Sequence, residues 1–502
     1  MVTSSNSHAV PDAPPVTHKT VVVDGVLRYP STGLKVLVVG GGPGGYLTAL
    51  ECWRKGIDVE VLEKNSSNSP VGDIFFLNPS GLASLKYYPK LLDEYQRCSW
   101  DVVVNICKLG GGSIIPTFDF EWNRPDVPQH AAWPLRVRTM VARAPFTSML
   151  YDQCVRFGIK VTFGVNVLSY SENTAEGTAS IIVDDGRQFT ADIVVAADGL
   201  GTKSTKIVLG RSMRATPTGF SIARVLYSLD QVQDSPLLDQ LRRLKRPELR
   251  VASGVDFHFA LGLANDAALV SITSLDNGTA DESWAQGITP EEALSRVPDV
   301  SEVDPLIIEL IRKIPSENPF VSWKLCWRNP QERWTSPGGL VVQVGDSAHT
   351  FIPTSLMGAA TALEDAQSLA ECLRLAGKKE AALGTKIHEL LRHRRVTILQ
   401  RSGFANRDES HQGGMEVVLE NAMENDPFRM GKWVWTHNAE SYATEKFSQA
   451  RAYLEAGATF EHTNIPPGFQ WEPGWTMEGQ VEKEKKGIKY GNLKLNGDWS
   501  IY

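Results

Sequence analysis

The sequence predicts an α/β fold: a Rossmann-like βαβ unit with a GxGxxG turn, an inserted mixed β-sheet domain, and a helical C-terminal region. Three observations carry this. "LVVGGGPGGYLTAL" at 37–50 passes from β-branched residues through glycines into an apolar run with helical spacing. "GGLVVQVGDSAHTFIPTSLMGAATALEDAQSLAECLRLAG", about three hundred residues later, repeats strand, loop and helix. Between them, segments such as "GFSIARVLYS" and "AALVSITSL" alternate or run apolar like strands.

The first twenty residues are rich in Ser, Thr and Pro and lack an apolar core, so 1–30 reads as a flexible tail and lead-in. Residues 34–39, "LKVLVV", suit a parallel strand buried on both faces. Gly40, Gly42 and Gly45 follow, then Leu47, Leu50 and Trp53 at three-residue intervals, with Gly56 after Arg54 and Lys55 as a stop signal. A helix over 44–55 is expected. "IDVEVLE" then reads as a second strand delivering Glu63 to its end, eighteen residues beyond Gly45. Glycines let the backbone approach an anion closely, a helix start favours negative charge, and a strand-end carboxylate accepts ribose hydroxyls. Together they predict a dinucleotide site built from Gly40, Gly42, Gly45 and Glu63 with the adjoining Lys64.

"LVVQV" ends at Gly345 and Asp346, where a carboxylate suits a polyol chain. The helix beyond it carries the stripe Leu363, Ala366, Leu369, Ala370 and Leu373, with Gly377 past its end. Its start at Gly358, Ala359 and Ala360 offers free amides to a negatively charged ring edge. Arg224 sits in a strand whose neighbours are apolar, where an arginine ordinarily points to solvent. Tyr227, Phe257, Phe259, Trp323 and Trp327 are candidates for pocket lining or for core. Residues 380–406 read as a long basic helix with a solvated charged face, on which His388 and His393 are surface residues. The C-terminal tail either packs back over the first domain or mediates a homodimer.

Composition narrows the class. The 502 residues include 42% apolar side chains, enough for a large core. A formal charge of −7 gives no reason to expect nucleic acid or an anionic membrane as partner. Six scattered cysteines without a Cys-x-x-Cys pair fit a reducing compartment, and the cytoplasm is the expected location. Neither the cysteines nor the histidines have metal-ligand spacing, so no metal is expected. Gly-x-Ser-x-Gly is absent, which leaves hydrolase chemistry without support.

These motifs resemble the class A, single-component flavin monooxygenases, the family of para-hydroxybenzoate and salicylate hydroxylases. The resemblance rests on the glycine fingerprint, on Gly345, Asp346, His349 and Pro353 followed by Glu364 and Asp365, on Asp198 and Gly199 in "DIVVAADGLGTKS", on Arg143 in "VARAPFTSMLYDQC", and on "GDIFFLNPSGLASL". It runs from about residue 34 to 376. It implies FAD as cofactor, NADPH or NADH as transient co-substrate, and dioxygen as reactant. Arg143, Asp198, Gly199, Asp346, Gly358, Ala359 and Ala360 would touch cofactor; Pro353 would shape the flavin face; Arg224 would hold a phenolate or peroxide; His349 would be structural. The implied reaction inserts one oxygen atom through a flavin hydroperoxide into an aromatic or electron-rich small molecule, phenolic polyketide-like or indole-like, by hydroxylation or epoxidation. The alternative is a flavin oxidoreductase of the same fold, geranylgeranyl-reductase-like, that moves hydride without inserting oxygen. The implied division is a discontinuous FAD-binding domain at 31–210 and 336–400, a substrate-binding sheet at 211–335, and a C-terminal extension at 401–502. The chain departs from the family in "TSLMGAA", which keeps only Gly358 of a glycine-rich stretch, and in Lys206, where arginine is usual.

Overall fold

The structure, a computed structural model, describes residues 20–68, 74–127, 136–232, 235–276, 278, 287–411, 429–486 and 490–501. The tail expected at the very N-terminus falls outside them, except that Val21–Val23 and Val26–Arg28 pair as a hairpin.

Five parallel strands form the first sheet, in the order Val341–Gln343, Ile193–Ala196, Lys35–Val39, Asp58–Leu62 and Lys160–Thr162. All four residues of Ile193–Ala196 are fully buried, because a parallel sheet carries helices on its faces. Each such Val or Ile contributes about 1.5–3 kcal/mol of apolar burial. Helix Pro43–Arg54 starts one residue earlier than expected, with Pro43 in its first turn. Gly40, Glu63, Asp198 and Gly345 all follow the carboxyl ends of strands, and one edge of this sheet therefore collects the motif residues.

The inserted domain is built on a seven-stranded mixed sheet, ordered Gly287–Ile288, Phe320–Trp327, Thr216–Ser228, Ala267–Leu275, Phe257–Leu263, Glu248–Gly254 and Val103–Cys107. The last strand comes from outside 211–335 and pairs in parallel, whereas the others are antiparallel. Alternation along the strands gives the sheet two unlike faces. Ala223, Val225, Tyr227, Phe257, Phe259, Leu261, Val270 and Ile272 pack against helices that include Pro236–Arg242 and Pro305–Arg312. Of the five aromatics considered for the pocket, Tyr227, Phe257 and Phe259 thus belong to this core. Trp327 belongs to another, stacking edge-on against Phe404 at 4.3 Å.

Two expectations about the C-terminal region need correcting. Helix Ala381–His411 does not carry a solvated charged face: Arg392 and Arg395 are at most 1% exposed, and His388 is fully buried with Nδ1 3.1 Å from the Ser368 hydroxyl. The basic residues belong inside because the preceding helix, Gly358–Ala376, turns Glu364 and Asp365 toward them. Arg395 meets Glu364 at 2.9 Å and Arg392 meets Asp365 at 2.9 Å. His393, half-buried, lies 2.6 Å from the Gln331 carbonyl.

As for the tail, it packs back on its own chain. Glu440, in helix Ala439–Ala456, bridges Arg54 and Lys55 of the first helix region. Buried Glu121 accepts the Met430 N–H at 2.5 Å and the Trp435 indole N–H at 2.9 Å. All six cysteines are free and buried. Among the described residues no helix is long and apolar enough to cross a membrane.

Candidate active site

Two turns distant in sequence close on one point. Gly45 must lack a side chain because a Cβ there would lie 2.0 Å from the Gly40 carbonyl oxygen. Gly40 itself has φ +111 and sits against Ala197. The turn is thereby pressed against the parallel sheet, while a Cβ on Gly42 would meet nothing within 4 Å. A Cβ on Gly44 would touch Ala362 at 3.3 Å, and one on Gly345 would touch the same alanine at 3.2 Å. The small side chain of Ala362 lets the glycine turn and the Gly345–Asp346 turn share one wall.

Around that wall lies a cavity of about 470 Å³. Gly42, Gly45, Arg143, Gly199, Asp346, Pro353, Gly358, Ala359 and Arg224 all line it. Gly40, Glu63, Lys64, Asp198 and Ala360 do not. Gly40 and Glu63 stand directly behind the lining: Glu63 accepts the Gly41 N–H at 2.7 Å and the Asn65 N–H at 2.8 Å, which fixes its carboxylate beneath the turn. Lys64 is exposed. Asp198 turns away, accepting the Tyr170 hydroxyl at 2.7 Å and the Ser347 hydroxyl at 3.1 Å, while Ser347 accepts the Gly199 N–H at 2.8 Å. Ala360 is fully buried against Gly81.

Whether these residues fit FAD is decided by the donor set. Helices Pro43–Arg54 and Gly358–Ala376 both begin on the cavity, and neither start has a side-chain cap. Uncapped helix starts direct free amides and the positive end of the helix dipole outward, which suits a pyrophosphate at one and an anionic ring edge at the other. Asp346 adds an acceptor for a polyol. Asp346 is exposed on the cavity; desolvation by the surrounding protein pushes its pKa up, partly opposed by His349, Arg328 and Arg143. The fit is good at both ends.

His349 is buried behind the cavity. His349 Nε2 lies 2.5 Å from Asp365 Oδ2, and the same oxygen accepts the Gly345 N–H at 3.0 Å. Burial alone would raise the pKa values of Asp365 and Glu364, but His349 and Arg392 for the first, and Arg395 and Arg392 for the second, hold both far below the usual carboxylate range. Helix Ala381–His411 also grips the Pro353 loop: Gln400 donates to the Thr350 carbonyl at 2.9 Å, Thr354 donates to the Gly403 carbonyl at 2.8 Å, and Asn406 donates to the Thr354 carbonyl at 3.0 Å. Leu356, in the stretch lacking the family's usual glycines, adopts φ 55, one of three positive-φ non-glycine residues described.

Strand register explains the far wall. Ile222, Thr273 and His258 lie abreast on adjacent strands, and the next row on the same face is Arg224, Ser271 and Ala260. All six line the cavity. Arg224 Nη2 donates to the Ile74 carbonyl at 3.3 Å, so the guanidinium is held at the wall and does not point to bulk solvent. Trp323, Leu249, Val251 and Leu269 complete an apolar surround. His258, Ser271 and Thr273 could not be picked out beforehand, because only pairing register sets them beside Arg224. Among the described residues no group of three or more His, Cys, Asp or Glu side chains could hold a metal ion.

A Rossmann-like sheet, two uncapped helix starts on one cavity and a substrate-sized sheet face opposite define a flavoprotein with a second ligand compartment. Comparison with known proteins carries this further. The family description "FAD binding domain" matches residues 33–81 and 131–389, so the chain belongs to this FAD-binding family. The FAD-dependent monooxygenase fsr3 of Gibberella fujikuroi is 36% identical over 485 residues, covering 95% of this chain and 91% of that protein. The FAD-dependent monooxygenase mdpD of Emericella nidulans is 36% identical over 486 residues, covering 94% and 92%. The crystal structure of FqzB superposes with a TM-score of 0.75 at 24% identity, covering 89% of this chain and 99% of that one. A salicylate hydroxylase substrate complex gives 0.63 at 20% identity, covering 82% and 97%. The chain is an FAD-dependent monooxygenase of the kind found in fungal secondary metabolism.

Proposed function

We propose that this enzyme consumes NAD(P)H and hydroxylates an electron-rich aromatic ring bearing an acidic hydroxyl, as in a phenolic polyketide. The observation that carries the reading is the placement of Arg224 beside Ser271, with His258 and Thr273 in the next row, on an otherwise apolar wall. A guanidinium in a poorly solvated recess favours the phenolate over the phenol, which makes the adjoining ring carbons more electron-rich. An indole or alkene awaiting epoxidation would not need that charge.

Gly42 and Gly45 would hold the pyrophosphate end of FAD with Glu63 fixing their turn from behind, Asp346 would hold its ribityl chain, and the amides of Gly358 and Ala359 its ring edge, with Ala360 packed behind them. Arg143 and Gly199 flank the same space, whereas Asp198 acts through Ser347. When bound and reduced by NAD(P)H, FAD would activate dioxygen, one atom of which enters the substrate while the other leaves as water. The protein's part is to orient the ring with Arg224, to exclude water with Ile222, Trp323, Leu249 and Leu269, and to shape the oxygen-facing side with the clamped Pro353 loop. The division into a cofactor-binding part, a substrate sheet at 211–335 and a C-terminal extension belongs to this reading. A reducing, cytoplasmic setting is supported by the free cysteines.

The test is product mass under ¹⁸O-labelled dioxygen with NADPH and a panel of phenolic and indolic compounds. One labelled atom in a phenolic product is expected. Reduced product without label would favour hydride transfer instead.

A further inference from the structure

A second cavity, of about 490 Å³, opens where helix Ala381–His411 meets helix Ala439–Ala456, away from every residue assigned above. Arg333, Lys386 and Arg394 line it. Elsewhere in this region the arginines are neutralised: Arg392 and Arg395 by Glu364 and Asp365, Arg451 by Glu380 and Glu455. Among the described residues the three cavity cations have no ion-pair partner. Arg333 donates only its Nε, to the Val208 carbonyl at 2.6 Å, and Arg394 lies over the Trp471 ring at 5.2 Å.

Two carboxylates share the wall, and both are engaged. Glu389 accepts the Trp334 N–H at 2.9 Å and the Thr335 N–H at 2.7 Å through one oxygen. Glu332 is 81% exposed and reaches Arg211 at 3.4 Å on the rim. Burial, and after it the positive charges of Arg394, His393 and Lys446, push the His462 pKa down to about 4. Its Nδ1 is buried with no hydrogen-bond partner. Beside these groups Tyr453 and Leu454 present 43% and 39% of their surfaces. The cavity therefore combines three cations without ion-pair partners, an imidazole nitrogen without a hydrogen-bond partner and an apolar shelf.

We infer that this cavity binds an organic phosphate, its phosphate among Arg333, Lys386 and Arg394 and its apolar body on Tyr453 and Leu454. Lys386 and Arg394, on one helix, and Arg333, on the segment facing it, give one cavity three cations, and several cations suit a phosphate's three oxygens better than a planar carboxylate, which one guanidinium satisfies. The site stands independently of the substrate reading above.

Isothermal titration of the FAD-loaded enzyme with ADP, inorganic pyrophosphate and benzoate tests it. Binding of ADP, weaker binding of pyrophosphate and no benzoate binding that the K386A/R394A change alters are expected, with phosphate affinity falling as salt rises. Because ADP can also enter a nicotinamide-nucleotide site, the deciding arm is the K386A/R394A double variant. Its affinity for ADP should drop by about tenfold or more, with flavin content and basal NADPH oxidation unchanged. R333A provides a second, single-charge check in the same direction. No heat with either phosphate, or ADP binding that the double variant leaves intact, overturns the assignment.

Discussion

The two ends of the main cavity are made in different ways. At the cofactor end the wall is backbone: two helix starts, glycines whose missing side chains permit close approach, and carboxylates pinned by neighbouring amides. At the substrate end it is side chains from strands far apart in sequence, brought abreast by register. A backbone site depends on short local motifs and on the scaffold that presses them together. A side-chain site depends on which residue each strand turns inward. Mutations should separate the two ends cleanly.

The scaffold behind the cofactor end should give the largest effect. Glu364→Gln leaves Arg392 and Arg395 buried beside a neutral amide, and unfolding measurements should show a loss of about 3–5 kcal/mol. Asp346→Ala removes the acceptor proposed for the ribityl chain and leaves the Glu364–Arg392–Arg395 ion pairs in place. Flavin retention after dialysis should fall by about tenfold with little change in melting temperature.

A smaller, pH-dependent effect comes from the same helix pair. Burial, opposed in part by Asp365, lowers the His388 pKa from 6.5 to about 3. Between those values the unfolded chain takes up a proton that the folded chain refuses, so stability falls as pH falls through the window. Glu364 and Asp365, also depressed, add stability that is present above the ordinary carboxylate range and is lost on further acidification. His388→Gln should flatten the decline between pH 6 and 4 while leaving the steeper acid limb. The weakest test is at the tip of the seven-stranded sheet, where Asp256 holds φ 63 in a hairpin turn. Asp256→Gly should change stability by no more than about 0.5 kcal/mol and leave both ends of the cavity intact.

This contrast also explains what could be read from the sequence. Gly40, Gly42, Gly45, Glu63 and Asp346 were legible because strand, turn and helix follow one another within a few residues, each with its own signal. The long helix was legible as a helix but not as a buried one. Its arginines look like a solvated face until Glu364 and Asp365, on another helix, are seen to neutralise them. Tyr227, Phe257 and Phe259 were indistinguishable in type from pocket aromatics, and only the alternation of their strands sends them to the opposite face. His258, Ser271 and Thr273 carried no local signal. Asp198 sits in a recognisable motif, yet Tyr170 and Ser347 draw its carboxylate away from the cavity.

The separation of the two ends is tested most directly by Arg224→Met, with flavin stoichiometry and steady-state kinetics on a phenolic substrate measured on one preparation. We expect full flavin content together with kcat/KM reduced by about tenfold or more. A preparation that loses its flavin, or one that keeps both flavin and substrate kinetics unchanged, would contradict the account.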